Sequence, residues 1–120
     1  MYLTILTPVT STKLSGYSAA KLQRYQDIID YFIIPEIQNL GNALKQSPTL
    51  SSIEASLSQQ KALNMLNAKY IIIDPNAAPI NNRFAYGNAW FVKDYELVDT
   101  PDDEIITLKQ IDPKESAVIN

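Results

Sequence analysis

Hydrophobic positions change period along the chain, and the changes mark out its elements. Residues 2–7 (YLTILT) are β-branched and aromatic and predict a short strand ended by Pro8. The Ser/Thr/Pro-rich stretch 8–16 reads as loop. From Ser18, a plausible N-cap, to Ile34 the apolar residues Leu22, Tyr25, Ile28, Ile29 and Phe32 recur at helical spacing. Asp27 and Asp30 fall on the opposite, polar face. Pro35 breaks or kinks this helix, and a second piece runs from Pro35 to Lys45 with Ile37, Leu40 and Leu44 inward. After a connector at 46–50, Ser51 and Glu54 form a capping-box pattern. It opens a helix that extends to about Asn67 and carries Ile53, Leu57, Leu63 and Leu66.

The period then shortens. Lys69 to Asp74 (KYIIID) predicts a buried strand ended by Pro75, and Asn76 to Arg83 reads as loop. Beyond the Gly87-Asn88 turn, Ala89 to Val98 alternates, with Phe91, Lys93, Tyr95 and Leu97 on the more apolar face, so a half-buried strand is expected. Thr100-Pro101 followed by three acids is a helix start, with Ile105, Leu108 and Ile111 inward and Asp112-Pro113 as the stop. Ser116 to Ile119 predicts a last strand. The succession implies an α+β fold in one domain: a small mixed sheet of three or four strands covered on one face by three or four helices.

Composition narrows the chemistry. The 120 residues include no cysteine, no histidine and only three glycines, Gly16, Gly41 and Gly87. A Ser-His-Asp triad, a thiol nucleophile and a Cys/His zinc site are excluded. The glycines are too far apart for a P-loop or a dinucleotide fingerprint. A net charge of −3 without any basic run argues against a nucleic-acid partner. Apolar runs are about four residues long, as in Tyr31–Ile34, against the roughly 20 that a spanning helix needs. The N-terminus lacks the charged start and long apolar region of a signal peptide; if the native protein is secreted or membrane-bound, its signals lie outside these residues. No catalytic set, cofactor site or metal site is expected.

Some motifs imitate function. Tyr17 and Lys21 have the Tyr-x-x-x-Lys spacing of short-chain dehydrogenases, but the glycine-rich turn that family needs is missing. Gly16-Tyr17-Ser18 has the outline of a nucleophile elbow with no histidine to act as base. Asp27 with Asp30 reads as a solvated helix face, and Asp102, Asp103 and Glu104 as capping acids. Asp74 is the best single candidate for a functional carboxylate, with a turn-initiating aspartate as its alternative. Phe84, Tyr86 and Trp90 flank the glycine turn and suit either a core or a sugar-stacking surface.

Four segments taken together resemble one family. Gly16–Asp30 (GYSAAKLQRYQDIID), Leu63–Ile72 (LNMLNAKYII), Gly87–Val92 (GNAWFV) and Asp112–Ile119 (DPKESAVI) are similar, in order, to segments of YfhO-type membrane proteins of Bacteroidetes-like bacteria. Ser15 and Ser18 depart from the Gly and His common there. The resemblance implies a multi-spanning, glycosyltransferase-like parent in the bacterial cell membrane. This chain would be its non-catalytic domain on the extracytoplasmic (periplasmic) side, positioning a glycan acceptor or packing on the membrane part. Implied partners are the remainder of the parent and a glycan or lipid-linked sugar. The candidate ligand or partner surface comprises Tyr17, Lys21, Arg24, Tyr25, Asp74 and Trp90. The alternatives are a stand-alone protein-interaction module and a small hydrolase using Asp or Glu alone.

Overall fold

A computed structural model describes the backbone of residues 2–4 and the whole of residues 23–120. The expectations for residues 5–22, including the N-cap Ser18, lie outside the described residues.

Helix α1 (Gln23–Ile28) runs through a five-residue π-helical turn, Ile29–Ile33, into α2 (Ile34–Gln46). Of the break or kink expected at Pro35, no break occurs: the backbone widens just ahead of it, and the Ile34 N–H donates to the Ile29 carbonyl five residues back. The physical reason is that proline has no N–H and its ring presses on the carbonyl four residues earlier. A wider turn relieves the pressure without ending the helix. Ile29, Phe32 and Ile33 on this turn are all buried, with Leu40 below them on α2. Tyr25, expected on the same stripe, is 38% exposed.

Helix α3 (Leu50–Ser58) is capped by Thr49, two residues before the expected cap Ser51. Thr49, in extended conformation, accepts from the Ser52 N–H at 3.3 Å, and Glu54 reaches out to Arg83 at 3.2 Å. The helix also ends early: Gln60 is extended, and a separate short helix α4 (Lys61–Met65) follows. Helix α4 closes in a Schellman arrangement. The Ala68 N–H bonds to the Leu63 carbonyl (2.9 Å) and the Asn67 N–H to the Asn64 carbonyl (3.2 Å). Asn67 takes the left-handed position with φ 56°.

That turn delivers the chain to β2 (Tyr70–Ile72), the centre of a three-stranded sheet. Strand β1 (Tyr2–Thr4) pairs with it in parallel, Leu3 opposite Ile71, and β3 (Ile80–Asn81) pairs antiparallel, Ile80 opposite Ile71. Strand β3 corrects the loop expected over Asn76–Arg83. Ile71 is fully buried against the core that Leu57, Leu63, Leu40 and Ile33 build from α2–α4 and the π turn.

The remaining chain is a small β-α-β unit. Strand β4 (Asp94–Leu97), helix α5 (Pro101–Gln110) and strand β5 (Ser116–Ile119) follow one another, and β4 pairs with β5 in parallel. Helix α5 starts as its sequence dictates: Thr100 accepts from the Asp103 N–H at 3.1 Å, with Pro101 in the first turn. Ile105 and Leu108 pack against the core, and the Lys109 ammonium lies 4.7 Å from the centre of the Tyr31 ring. The fold is α+β, with its strands divided between two sheets. Strand β4 is shorter than the expected Ala89–Val98, and all four of its residues are exposed rather than half-buried.

Candidate functional site

Two surfaces stand out, and a buried polar network positions both. Asn82 is 3% exposed. Its amide nitrogen donates to the Asn64 side chain (2.8 Å) and the Ala68 carbonyl (2.9 Å), while its oxygen accepts from the Phe84 N–H (3.1 Å). Asn64 in turn donates to the Leu57 carbonyl (2.9 Å), and its own carbonyl accepts from the Tyr86 N–H (3.0 Å). Buried amides with every bond made hold one geometry, because each lost bond strands a desolvated group. Residues 82–86 are therefore fixed to α3 and α4.

The chain next turns at Gly87, with φ +88°, a conformation that suits glycine. The turn folds Trp90 back on Tyr86, with ring centres 5.0 Å apart and planes at 65°. The Trp90 indole N–H is bonded to the Pro113 carbonyl at 2.9 Å. Trp90 thus ties the glycine turn to the start of β5 and is half-buried.

The first surface is apolar. Register places Tyr95 beside Ala117 and Leu97 beside Ile119 on one face of the parallel sheet. On it Tyr95 is 57% exposed, Leu97 72% and Ile119 46%, and Phe91 just before the strand is fully exposed. The opposite face meets a mostly apolar cleft of about 260 Å³ lined by Ile28, Trp90, Val92, Leu108 and Val118, with Glu104 as its one charged residue.

The second surface is polar. Two adjoining recesses of about 360 and 350 Å³ share Ser58, Tyr86 and Asp112. Arg83 and Lys114 line one, Lys61 and Gln110 the other. Burial, the carboxylate of Asp112 and that of Glu36 below all push the Tyr86 phenol up, so its proton stays on oxygen. The Lys61 ammonium donates to the Lys109 and Ile111 carbonyls at the end of α5.

Beneath this surface lies Glu36, 7% exposed, whose carboxylate accepts from the N–H groups of Ala62 (2.8 Å) and Leu63 (2.9 Å) at the start of α4. Burial raises its pKa, and the two backbone bonds and Lys61 oppose that rise in part. No sequence pattern singles out Glu36, since its partners are 26 and 27 residues away.

The six residues singled out from sequence separate. Tyr17 and Lys21 lie outside the described residues. Arg24 lies 3.6 Å from Glu104, which lines the apolar cleft, and is bonded to Asn120 at 3.1 Å; Tyr25 follows it on α1. Trp90 lines the same cleft. Asp74 lies apart: it is exposed, its side chain accepts from the Asn76 N–H at 2.9 Å, and it serves the turn after β2. Arg83, Tyr86, Asp112 and Lys114 line the polar recess; in the sequence Tyr86 stood out beside the glycine turn and Asp112 as part of a helix stop, and neither pointed to a shared site.

Among the described residues no group of three His, Cys, Asp or Glu could hold a metal ion, and no helix is long and apolar enough to cross a membrane. No family model, curated protein or solved structure matches the chain.

Proposed function

We propose that this chain is a non-catalytic docking domain on the extracytoplasmic side of a YfhO-type, glycosyltransferase-like membrane protein, packing on the remainder of its parent through the outer face of the β4–β5 sheet. The observation that carries this reading is the exposure of Tyr95, Leu97 and Ile119 on one side of a parallel sheet, with Phe91 exposed three residues before β4. Parallel strands ordinarily lie in sheets covered on both faces, and two strands alone give little independent stability. An uncovered apolar face on such a sheet calls for another layer. The four-segment resemblance supplies its source in the parent chain.

The absence of cysteine provides a clean test. A single Tyr95→Cys substitution is placed in the isolated chain and in the full parent protein, whose own cysteines are replaced, in intact cells. With a membrane-impermeant maleimide, Tyr95→Cys reacts in the isolated chain and is protected in the parent, while Asp74→Cys reacts in both. Equal reactivity of Tyr95→Cys in the two settings overturns the docking face. A parent reading frame without membrane-spanning helices overturns the membrane assignment and leaves the stand-alone interaction module.

A further inference from the structure

We propose that the outer edge of β4 takes up an extended basic strand, a peptide in which lysine or arginine alternates with apolar residues. This deepens the docking reading and rests on it only for the place of the β4–β5 sheet in an interface.

Strand β4 has a strand neighbour on one side alone, since its sheet has two strands, and all four of its residues are exposed. The bonds toward β5 fix which backbone groups are left over. The Asp94 N–H donates to the Glu115 carbonyl (3.3 Å) and the Val98 N–H to the Ile119 carbonyl (2.9 Å). Alternation then turns the N–H and C=O of Tyr95 and of Leu97 outward. The Tyr95 N–H is taken by the Asp94 side chain at 2.8 Å. Leu97 keeps both its donor and its acceptor among the described residues, and together these make the closed two-bond pair of an antiparallel neighbour. The far edge of β5 is less open: the Ser116 N–H donates to the Asp112 carbonyl (2.9 Å), and Ser116 and Val118 line the apolar cleft with Ile28 and Met65.

Charge selects the strand. Asp94 and Glu96 alternate with Tyr95 and Leu97 and so share the other face of the sheet. Neither has an ion-pair partner among the described residues, and the adjacent cation, Lys93, is taken by Glu115 at 2.5 Å. A cation opposite each acid is favourable, and apolar residues opposite Tyr95 and Leu97 extend the exposed apolar face. The same acids exclude a second copy of this chain. Antiparallel pairing of two β4 edges sets Asp94 and Glu96 against their own counterparts, and like charges across strands repel. An acidic edge with a free backbone donor and acceptor therefore rejects itself and accepts a basic strand.

The test is a ¹⁵N–¹H correlation titration of the full chain with three short peptides at matched ionic strength. One alternates lysine and valine, one alternates glutamate and valine, and one carries the lysines and valines of the first in separate blocks. The alternating basic peptide should saturate shifts over residues 93–99 with a Kd of about 1 mM and slow hydrogen exchange at the Leu97 amide. The other two should neither saturate nor protect Leu97. Glu96→Lys should weaken the basic peptide about fivefold and admit the glutamate–valine peptide. Leu97→Pro removes one outward N–H and should abolish binding. The same spectra report whether each variant is folded; if Leu97→Pro is not, the exposed Glu96→Lys carries the test alone. No saturable response, a blocked peptide that binds as well, shifts mapping elsewhere, unchanged binding by folded Glu96→Lys, or Leu97 protection that grows with chain concentration in the absence of peptide each overturns the proposal. Failure here leaves the sheet face, read by Tyr95→Cys protection in the parent, standing.

Discussion

Glu36 on α2 accepts the backbone N–H of Leu63 at 2.9 Å and so caps a helix that begins 25 residues downstream. The same carboxylate takes the Ala62 N–H at 2.8 Å. A helix of five residues cannot sustain itself, and its first N–H groups have no partners of their own. Glu36 supplies the cap that the flanking Gln60 does not, since Gln60 turns its side chain back to the Ser56 carbonyl at 2.7 Å. Glu36→Ala strands two buried donors and should cost about 3 kcal/mol, read as a lower urea midpoint with unchanged slope.

The same residue gives a pH signature. Burial raises the Glu36 pKa above its ordinary 4.5, so the folded chain holds this proton more tightly than the unfolded chain. The stability from that proton is full below about pH 4.5 and is lost as pH rises through the raised folded value. Glu36→Gln removes the titration. The melting temperature of the natural chain minus that of Glu36→Gln should therefore be largest in acid and shrink toward neutral pH. A difference that grows with pH would show the carboxylate to be stabilised in its charged form.

Trp90 is both support and reporter. It is the only tryptophan, half-buried, bonded to Pro113 and edge-on to Tyr86. Trp90→Phe keeps the ring and loses the Pro113 bond, for about 1 kcal/mol. Trp90→Ala also opens the apolar cleft and should cost about 3 kcal/mol, the lower end for such truncations. If Trp90→Ala leaves the denaturation midpoint unchanged, the residue does not hold β5 to the glycine turn.

At Gly87 the cost is purely conformational. With φ at +88°, an added Cβ meets only the Ala89 carbonyl oxygen, at 4.0 Å. Gly87→Ala should destabilise by about 1 kcal/mol through backbone strain alone, without a steric clash. Because the turn sets the Tyr86–Trp90 contact, the tryptophan emission of the folded variant should shift as well.

Local signals were legible in the sequence wherever local physics decides. Thr100, Pro101 and the acids that follow fixed the start of α5, and Ser116–Ile119 was read to the residue. Signals failed where a distant partner decides. The break between α3 and α4 answers to Glu36, 26 residues before Ala62, and no window around Gln60 contains it. Strand β3 exists because β2 offers an edge, and its own turn residues argued for loop. The exposed face of β4 misled in another way: alternation marks an apolar face without saying whether anything covers it. Asp74, singled out as a candidate functional carboxylate, serves the turn that was its alternative reading, while the polar groove drew on residues from α3, α4, α5 and two connecting segments that no linear motif unites.

The exposed sheet face makes the sharpest separation of stability from association. Phe91 is fully exposed, and Tyr95 and Leu97 are 57% and 72% exposed, so they contribute little to the isolated fold. Single substitutions Phe91→Ser, Tyr95→Ser and Leu97→Thr should each shift stability by no more than about 0.5 kcal/mol. Their joint replacement removes most of the apolar patch, so binding of an apolar dye and self-association at high concentration should both fall, measured by fluorescence and sedimentation. If the docking proposal holds, the same triple variant placed in the proposed parent should release the domain, seen as new protease sensitivity around it. Large destabilisation of the isolated chain by these changes would mean that the face is already covered within the domain, and the docking layer would have to be sought elsewhere.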